Sequence, residues 1–159
     1  MPLVLPDIDD QTDDLVVAVD STGHQGTNRG EWMRENLWVQ QGWIKAHIIV
    51  EVNSKKLLGI EITNEQASDG QVFPALLDQA QGASGDKTIT RVLADGAYDN
   101  KDFFNRLEKD HINSGIKIRE NASSKSGGSP YRAECSRKKQ KAGYRAWAHE
   151  NGYGKRWAV

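Results

Sequence analysis

Two carboxylates stand out for what precedes them. Asp20 follows the apolar run Leu15-Val16-Val17-Ala18-Val19 and leads into Ser21-Thr22-Gly23, while Asp95 follows Ile89–Ala94 and leads into Gly96-Ala97-Tyr98. An apolar run this short, ahead of a helical pattern, reads as a buried strand. Ligands of open α/β sheets gather at the carboxyl ends of such strands. Two strand tips that each deliver an aspartate could hold a divalent cation, because Mg²⁺ takes oxygen ligands, often one or two carboxylates completed by water and substrate phosphate. Either aspartate alone could equally cap a turn or a helix, so the argument rests on the pair. The expectation is geometric: although 75 positions separate them, the two carboxylates should face one another on adjacent strands, with Cα atoms within about 12 Å.

The elements that must position them can be read in order. Residues 1–14, rich in Asp and holding two prolines, read as an acidic linker or the end of a missing N-terminal region. Residues 15–159 read as one domain. Within it, 15–20 is a first strand, Ser21–Arg34 a Gly-rich loop or wide hairpin, Trp38–Val52 a long strand, Asn53–Lys56 a turn and Leu57–Thr63 a strand with alternating Leu58, Ile60 and Ile62. Strands that follow one another without a helix are expected to be antiparallel neighbours. Asp69–Gln81 carries Val72, Phe73, Leu76, Leu77 and Ala80 on one helical stripe, and Asn100–Asp110 turns Phe103, Phe104 and Leu107 inward. Asp99 is expected as the cap of that second helix and Asp69 as the cap of the first. A short strand at Ser114–Ile118, a flexible loop at 121–130, a basic helix over Tyr131–His149 ended by Asn151-Gly152, and a last helix from Tyr153 complete the chain.

Bulk properties narrow the function. With 37% apolar residues and a mean hydropathy of −0.69, a soluble, cytoplasmic protein is expected, and no apolar run approaches the ~18 residues of a membrane span. A single cysteine, Cys135, excludes an intrachain disulfide and a thiolate zinc site. His24, His47, His111 and His149 lack zinc-ligand spacing. The overall charge of −1 hides an asymmetry, since residues 115–159 carry 11 Lys and Arg against 3 Asp and Glu. Such a block suits a polyanion, and Arg137, Lys138, Lys139 and Lys141 are its densest part; a solvated helix surface is the plainer alternative. The tryptophans at 32, 38, 43, 147 and 157 suit packing better than base stacking.

With those residues placed, the sequence resembles the DDE-type transposases of bacterial and archaeal insertion sequences. The resemblance spans about residues 15–159 and is carried by Val19-Asp20-Ser21-Thr22, Trp43-Ile44-Lys45-Ala46-His47, Glu61-Ile62-Thr63, Asp95-Gly96-Ala97-Tyr98, Tyr144-Arg145-Ala146-Trp147 and Tyr153-Gly154-Lys155-Arg156-Trp157-Ala158-Val159. It implies a ribonuclease-H-like α/β fold: three antiparallel strands, then alternating helices and strands. It also implies that Asp20 and Asp95 are catalytic metal ligands, with Mg²⁺ or Mn²⁺ at a two-metal site. Two metals about 3.5–4 Å apart can stabilise both the attacking and the leaving oxygen at phosphorus. Lys45, His47, Tyr153 and Arg156 fall where the family meets DNA. Lys45 and His47 alternate with Ile44 and Ala46, so they share a strand face. Tyr153 and Arg156 open a signature whose glutamate would follow Val159, so the resemblance implies a domain incomplete at its C-terminus and defective in catalysis.

The implied activity is metal-dependent strand cleavage and transfer at insertion-sequence ends, with terminal inverted repeats as the DNA partner and room for a homodimer on DNA. A non-catalytic DNA-binding remnant is the alternative. A sugar-kinase-like nucleotide site, which Asp20-Ser21-Thr22-Gly23 would suit, lacks a second Gly-rich phosphate loop. Glu51 and Asp99 are the acids to consider in place of the third ligand.

Overall fold

The computed structural model describes residues 13–25, 43–64, 69–125 and 127–158. The acidic opening over 1–12, the centre of the Gly-rich loop, Trp32 and Trp38 therefore lie outside the described residues. Five strands form one mixed sheet in the order β3-β2-β1-β4-β5. β1 (Asp14–Gln25), β2 (Trp43–Glu51) and β3 (Leu57–Asn64) run antiparallel in turn. β4 (Thr88–Ala94) joins the other side of β1 in parallel, and β5 (Asn113–Ile116) extends it in parallel. The helices are α1 (Asp69–Ala83), α2 (Lys101–Lys109), α3 (Pro130–Ala142) and α4 (Tyr144–Glu150), with 3₁₀ segments at Gly96–Tyr98 and Tyr153–Ala158. This is the mixed α/β order expected of a ribonuclease-H-like domain.

The two faces of the sheet differ. On the first, α1 lays its stripe against Leu15, Val17, Val19, Ile49, Val92 and Ala94, and every stripe residue named from the sequence is buried. Phe103, Phe104 and Leu107 of α2 join the same core, with Phe73 and Phe103 stacked at 4.3 Å between ring centroids. Fully burying each such side chain contributes roughly 1.5–3 kcal/mol, so this face carries most of the stability. Among the described residues the second face holds only a small cluster of Ala18, Val52 and Leu93, and it leaves Ile44, Ile60 and Ile62 exposed.

Four local differences from the sequence reading have physical causes. β1 runs on to Gln25, through residues expected in a loop, because its ladder with β2 continues as far as Gln25↔Trp43; a well-partnered strand overrides the weak β propensity of Ser, Gly and His. In β3 the register shifts between Ile49 and Val50, which makes Leu58 the extra residue. Such a bulge turns one residue out of the alternation, so Leu58 joins the core while Ile60 and Ile62 leave on the second face. The expected single helix over Tyr131–His149 is broken at Gly143, whose φ of 83° and ψ of 161° suit glycine. Finally, Asn100, not Asp99, caps α2 through its side chain on the Asp102 amide. The Asn151-Gly152 stop after α4 is as expected, Gly152 having a φ of 63°.

Candidate active site beside the end of β4

The parallel ladder between β1 and β4 pairs Val16 with Arg91, Val17 with Val92 and Ala18 with Leu93. The ladder ends there; continued two steps further, the same register would bring Asp20 beside Asp95. Neighbouring paired strands lie about 4.8 Å apart. Alternation sets the side: Val17, Val19, Val92 and Ala94 enter the main core, whereas Ala18 and Leu93 lie in the opposite cluster. Both aspartates are two residues on from that second pair, so they leave the sheet on its second, open face.

Each carboxylate uses one oxygen locally. Asp20 Oδ1 accepts from the Ser21 amide at 2.9 Å, and Asp95 Oδ1 accepts from the Ala97 amide at 2.9 Å, capping the Gly96–Tyr98 turn. For Asp95 that is the capping role foreseen for a lone aspartate. Asp20 is exposed, and the Asp95 side chain is 40% exposed with Oδ2 3.9 Å from Arg156 Nη1. Two adjacent, hydrated hard-oxygen donors fit a divalent cation. Among the described residues no group of three or more His, Cys, Asp or Glu comes together as a metal site.

The turn after Asp95 is held rigidly. Asp99 accepts both forks of Arg132, Nε at 2.7 Å and Nη2 at 2.9 Å, and its carboxylate also takes the Arg119 amide at 3.2 Å. Arg119 Nε in turn donates to the Gly96 carbonyl. The Asp99 side chain is 1% exposed, so it is committed to anchoring the turn on α3. The paired carboxylate holds the Arg132 guanidinium above its ordinary pKa, with burial opposing. Glu51 is likewise engaged: it accepts from the amides of Asn53 and Ser54 and from the Ser54 hydroxyl. It pairs with Val17, three register steps from Asp20, or about 10 Å along the strand. Neither acid is placed to stand in as a third ligand.

The residues expected to meet DNA are distributed unevenly. Arg156 is brought to the acidic pair: its side chain is 7% exposed, its guanidinium lies over the Tyr153 ring at 5.2 Å and the Trp157 ring at 4.1 Å, and its Nε is buried without an acceptor among the described residues. A 3₁₀ turn eclipses i and i+3, which stacks Arg156 on Tyr153. Tyr153 itself is buried against Trp147 at 5.1 Å, and burial pushes its phenol pKa up. Trp157 is 74% exposed.

Lys45 and His47 share a face, as expected, but His47 pairs with Ser21 and so points to the side opposite Asp20. His47 is fully buried, with Nε2 2.9 Å from Thr63 Oγ1. On α3, Arg137, Lys138 and Lys141 are exposed, but Lys139 is turned inward with Nζ 2.6 Å from the Ile118 carbonyl. Sequence reading passed over Lys117, which follows β5 and donates its amide to the Ala94 carbonyl, bringing it beside Asp95 with Nζ 5.2 Å over Tyr144. It passed over Arg91 too, whose only signal was a charge inside an apolar strand.

No helix among the described residues is long and apolar enough to cross a membrane. A family model described as a transposase DDE domain matches residues 11–159, taking in both aspartates and Arg156. The family acts in DNA transposition, binds DNA and generally uses divalent metal ions, and the present chain belongs to it.

Proposed function

We propose that Asp20 and Asp95 together hold a divalent cation, Mg²⁺ or Mn²⁺, for cleavage and transfer of DNA strands at the ends of an insertion sequence. The observation that supports this reading is the β1–β4 register, whose continuation past Ala18↔Leu93 would bring the two carboxylates side by side on the open face. A cation bound there would stabilise charge developing on phosphoryl oxygens. The chain's own residues supply the rest. The Asp99–Arg132 pair fixes the Asp95 turn, so the carboxylate is held before metal arrives. Arg156, with an unsatisfied Nε beside Asp95, suits a phosphate oxygen, which guanidinium binds in a planar, two-bonded way. The exposed cations of α3 lend salt-dependent affinity for the DNA backbone through counterion release.

A second reading has its own support. Since no third acidic, His or Cys ligand joins the pair among the described residues, the 159-residue polypeptide is expected to bind DNA and one metal ion yet nick DNA poorly. Mn²⁺ titration followed by NMR separates these. Paramagnetic broadening should centre on the amides of Ser21, Gly96 and Ala97 and should vanish in both Asp20→Asn and Asp95→Asn. Broadening elsewhere, or none at millimolar Mn²⁺, would reject the metal site. Metal-dependent nicking of DNA by the unmodified chain, lost in Asp95→Asn, would favour the catalytic reading over the binding one.

A further inference from the structure

Four residues before Asp95, on β4, a guanidinium lacks a partner. Arg91 Nε is buried without an acceptor, and the side chain makes no hydrogen bond or ion pair among the described residues. Arg91 and Arg156 are the two arginines among those residues whose Nε is buried without an acceptor, and Arg156 has Asp95 at 3.9 Å from its Nη1. Arg91 opens into a cavity of about 250 Å³ between the β5 edge, α3 and α4. At about 30 Å³ per water molecule, that is room for a tetrahedral anion with part of its hydration shell.

The lining suits an anion more than any neutral ligand. Exposed Asn113 and Lys138 stand at the rim, Lys138 Nζ also reaching Glu134 at 2.6 Å, while Trp147 and Ser114 are buried below. The Tyr131 hydroxyl already accepts from the Ser114 amide, and burial pushes its pKa up to about 12, so it remains a neutral donor. Burial also raises the Cys135 thiol, leaving it protonated and without nucleophilic character at neutral pH. Glu150 is the one carboxylate on the wall and opposes an anion from the rim. A buried donor left unmade is costly, and a fork of N–H groups is satisfied best by two oxygens of one phosphate or carboxylate.

We propose that this pocket is a phosphate seat centred on Arg91, taking inorganic phosphate and, when DNA is bound, one backbone phosphodiester. The DNA half rests on the proposed function; the anion half does not. Arg91 lies four strand residues from Asp95, or about 13 Å. Duplex DNA rises about 3.4 Å per nucleotide along its axis, and its phosphates, wound around that axis, lie about twice as far apart. A phosphate seated on Arg91 would thus be about two nucleotides from the one at the aspartates, and the two arginines would fix the register of the strand.

Inorganic phosphate titrated into the full chain at constant ionic strength should shift the Arg91 Nε–H NMR resonance saturably. Arg91→Met should abolish binding, and Arg91→Lys, which keeps the charge but loses the fork, should weaken it about tenfold. Glu150→Gln should tighten it severalfold. For DNA, Arg91→Met should lower the slope of log affinity against log salt by about 0.9, one phosphate contact. Phosphate that leaves Arg91 unmoved, or binds Arg91→Lys and the parent equally, overturns the seat. An unchanged DNA slope alongside lost phosphate binding overturns the DNA half. Failure of the parent chain to bind DNA at all strikes the proposed function instead, and the phosphate titration still judges the pocket.

Discussion

The two faces of this sheet divide the labour of the protein. Against the first, two helices bury an aromatic and aliphatic core in which Phe73, Phe104, Leu76, Leu77 and Leu107 are all fully buried. On the second, the strand positions hold Asp20, Asp95, Arg91 and three exposed isoleucines, with α4 and the following 3₁₀ helix bringing Trp147, Tyr153 and Arg156 over the β4 side. Each strand of the centre serves both: Val17 and Val19 anchor β1 in the core, and that anchoring aims Asp20 the other way. Charged and under-satisfied groups are affordable on one face because the other supplies the burial.

The sharpest break of that contrast is a deletion in the first face. Phe104→Ala removes a fully buried ring packed edge-on to Tyr131, at 6.1 Å between centroids. The expected cost is about 3–5 kcal/mol, measured by urea denaturation. A loss below about 1 kcal/mol would mean that the helices contribute little to stability.

Next in size is the pair that ties the site to the scaffold. Arg132→Ala would leave the Asp99 carboxylate, 1% exposed, without its bidentate partner. Breaking one side of a buried ion pair costs about 3–5 kcal/mol, and the lower end is expected here because Arg132 is partly open to water. The same variant should loosen the Asp95 turn, so Mn²⁺ broadening at Gly96 and Ala97 should weaken along with stability. Stability lost with broadening unchanged would show that the pair holds α3 alone.

This division was legible in part. The strand tip before Asp95, the α1 stripe and the inward face of α2 follow from apolar periodicity, and packing obeyed it; Asp20, expected at a strand tip, lies inside β1, which runs on to Gln25. Register could be guessed only through the idea of a shared ion; a ladder between residues 75 apart leaves no local trace. Bulges were invisible for the same reason, so the outward turn of Ile60 and Ile62 was missed. Lys139, in a run of four basic residues around Gln140, gave no sign that it alone would turn inward to the Ile118 carbonyl. Asp99 shows the limit of capping rules: it lies one position from the true cap, and Arg132, 33 residues away, claims it. The Asn100 cap satisfies the same local pattern.

A smaller effect is expected from acid. Glu51 is buried, which raises its pKa, but the Ser54 hydroxyl and the amides of Ser54 and Asn53 more than offset this and hold it below the ordinary value of 4.5. Asp110 is likewise held below 3.8, its burial outweighed by hydrogen bonds from Arg106 and Gln81. A depressed folded-state pKa gives stability that is full above the unfolded value and lost as pH falls through the folded one. Stability should therefore hold from neutrality to about pH 5 and decline below pH 4.5. Glu51→Gln should remove about 1–2 kcal/mol at neutral pH and flatten the acid limb. An equally steep limb in that variant would place the acid sensitivity elsewhere.

The smallest effect is the one that most tests the contrast. Ile62 pairs with Ala46 on β3 and is 59% exposed on the second face, beside Ile44 and Ile60 at 58% and 47%. An exposed side chain gains little from burial, and substitutions away from core, caps and buried polar groups usually fall within about 0.5 kcal/mol. Thr keeps the β-branch that suits a strand, so Ile62→Thr should leave the unfolding midpoint nearly unchanged. The same strand supplies the control in Leu58, buried by the bulge on the other face: Leu58→Ala should cost about 2–5 kcal/mol. Comparable losses for the two would mean that the open face is covered by packing that the described residues do not show, and the division between a structural and a chemical face would have to be given up.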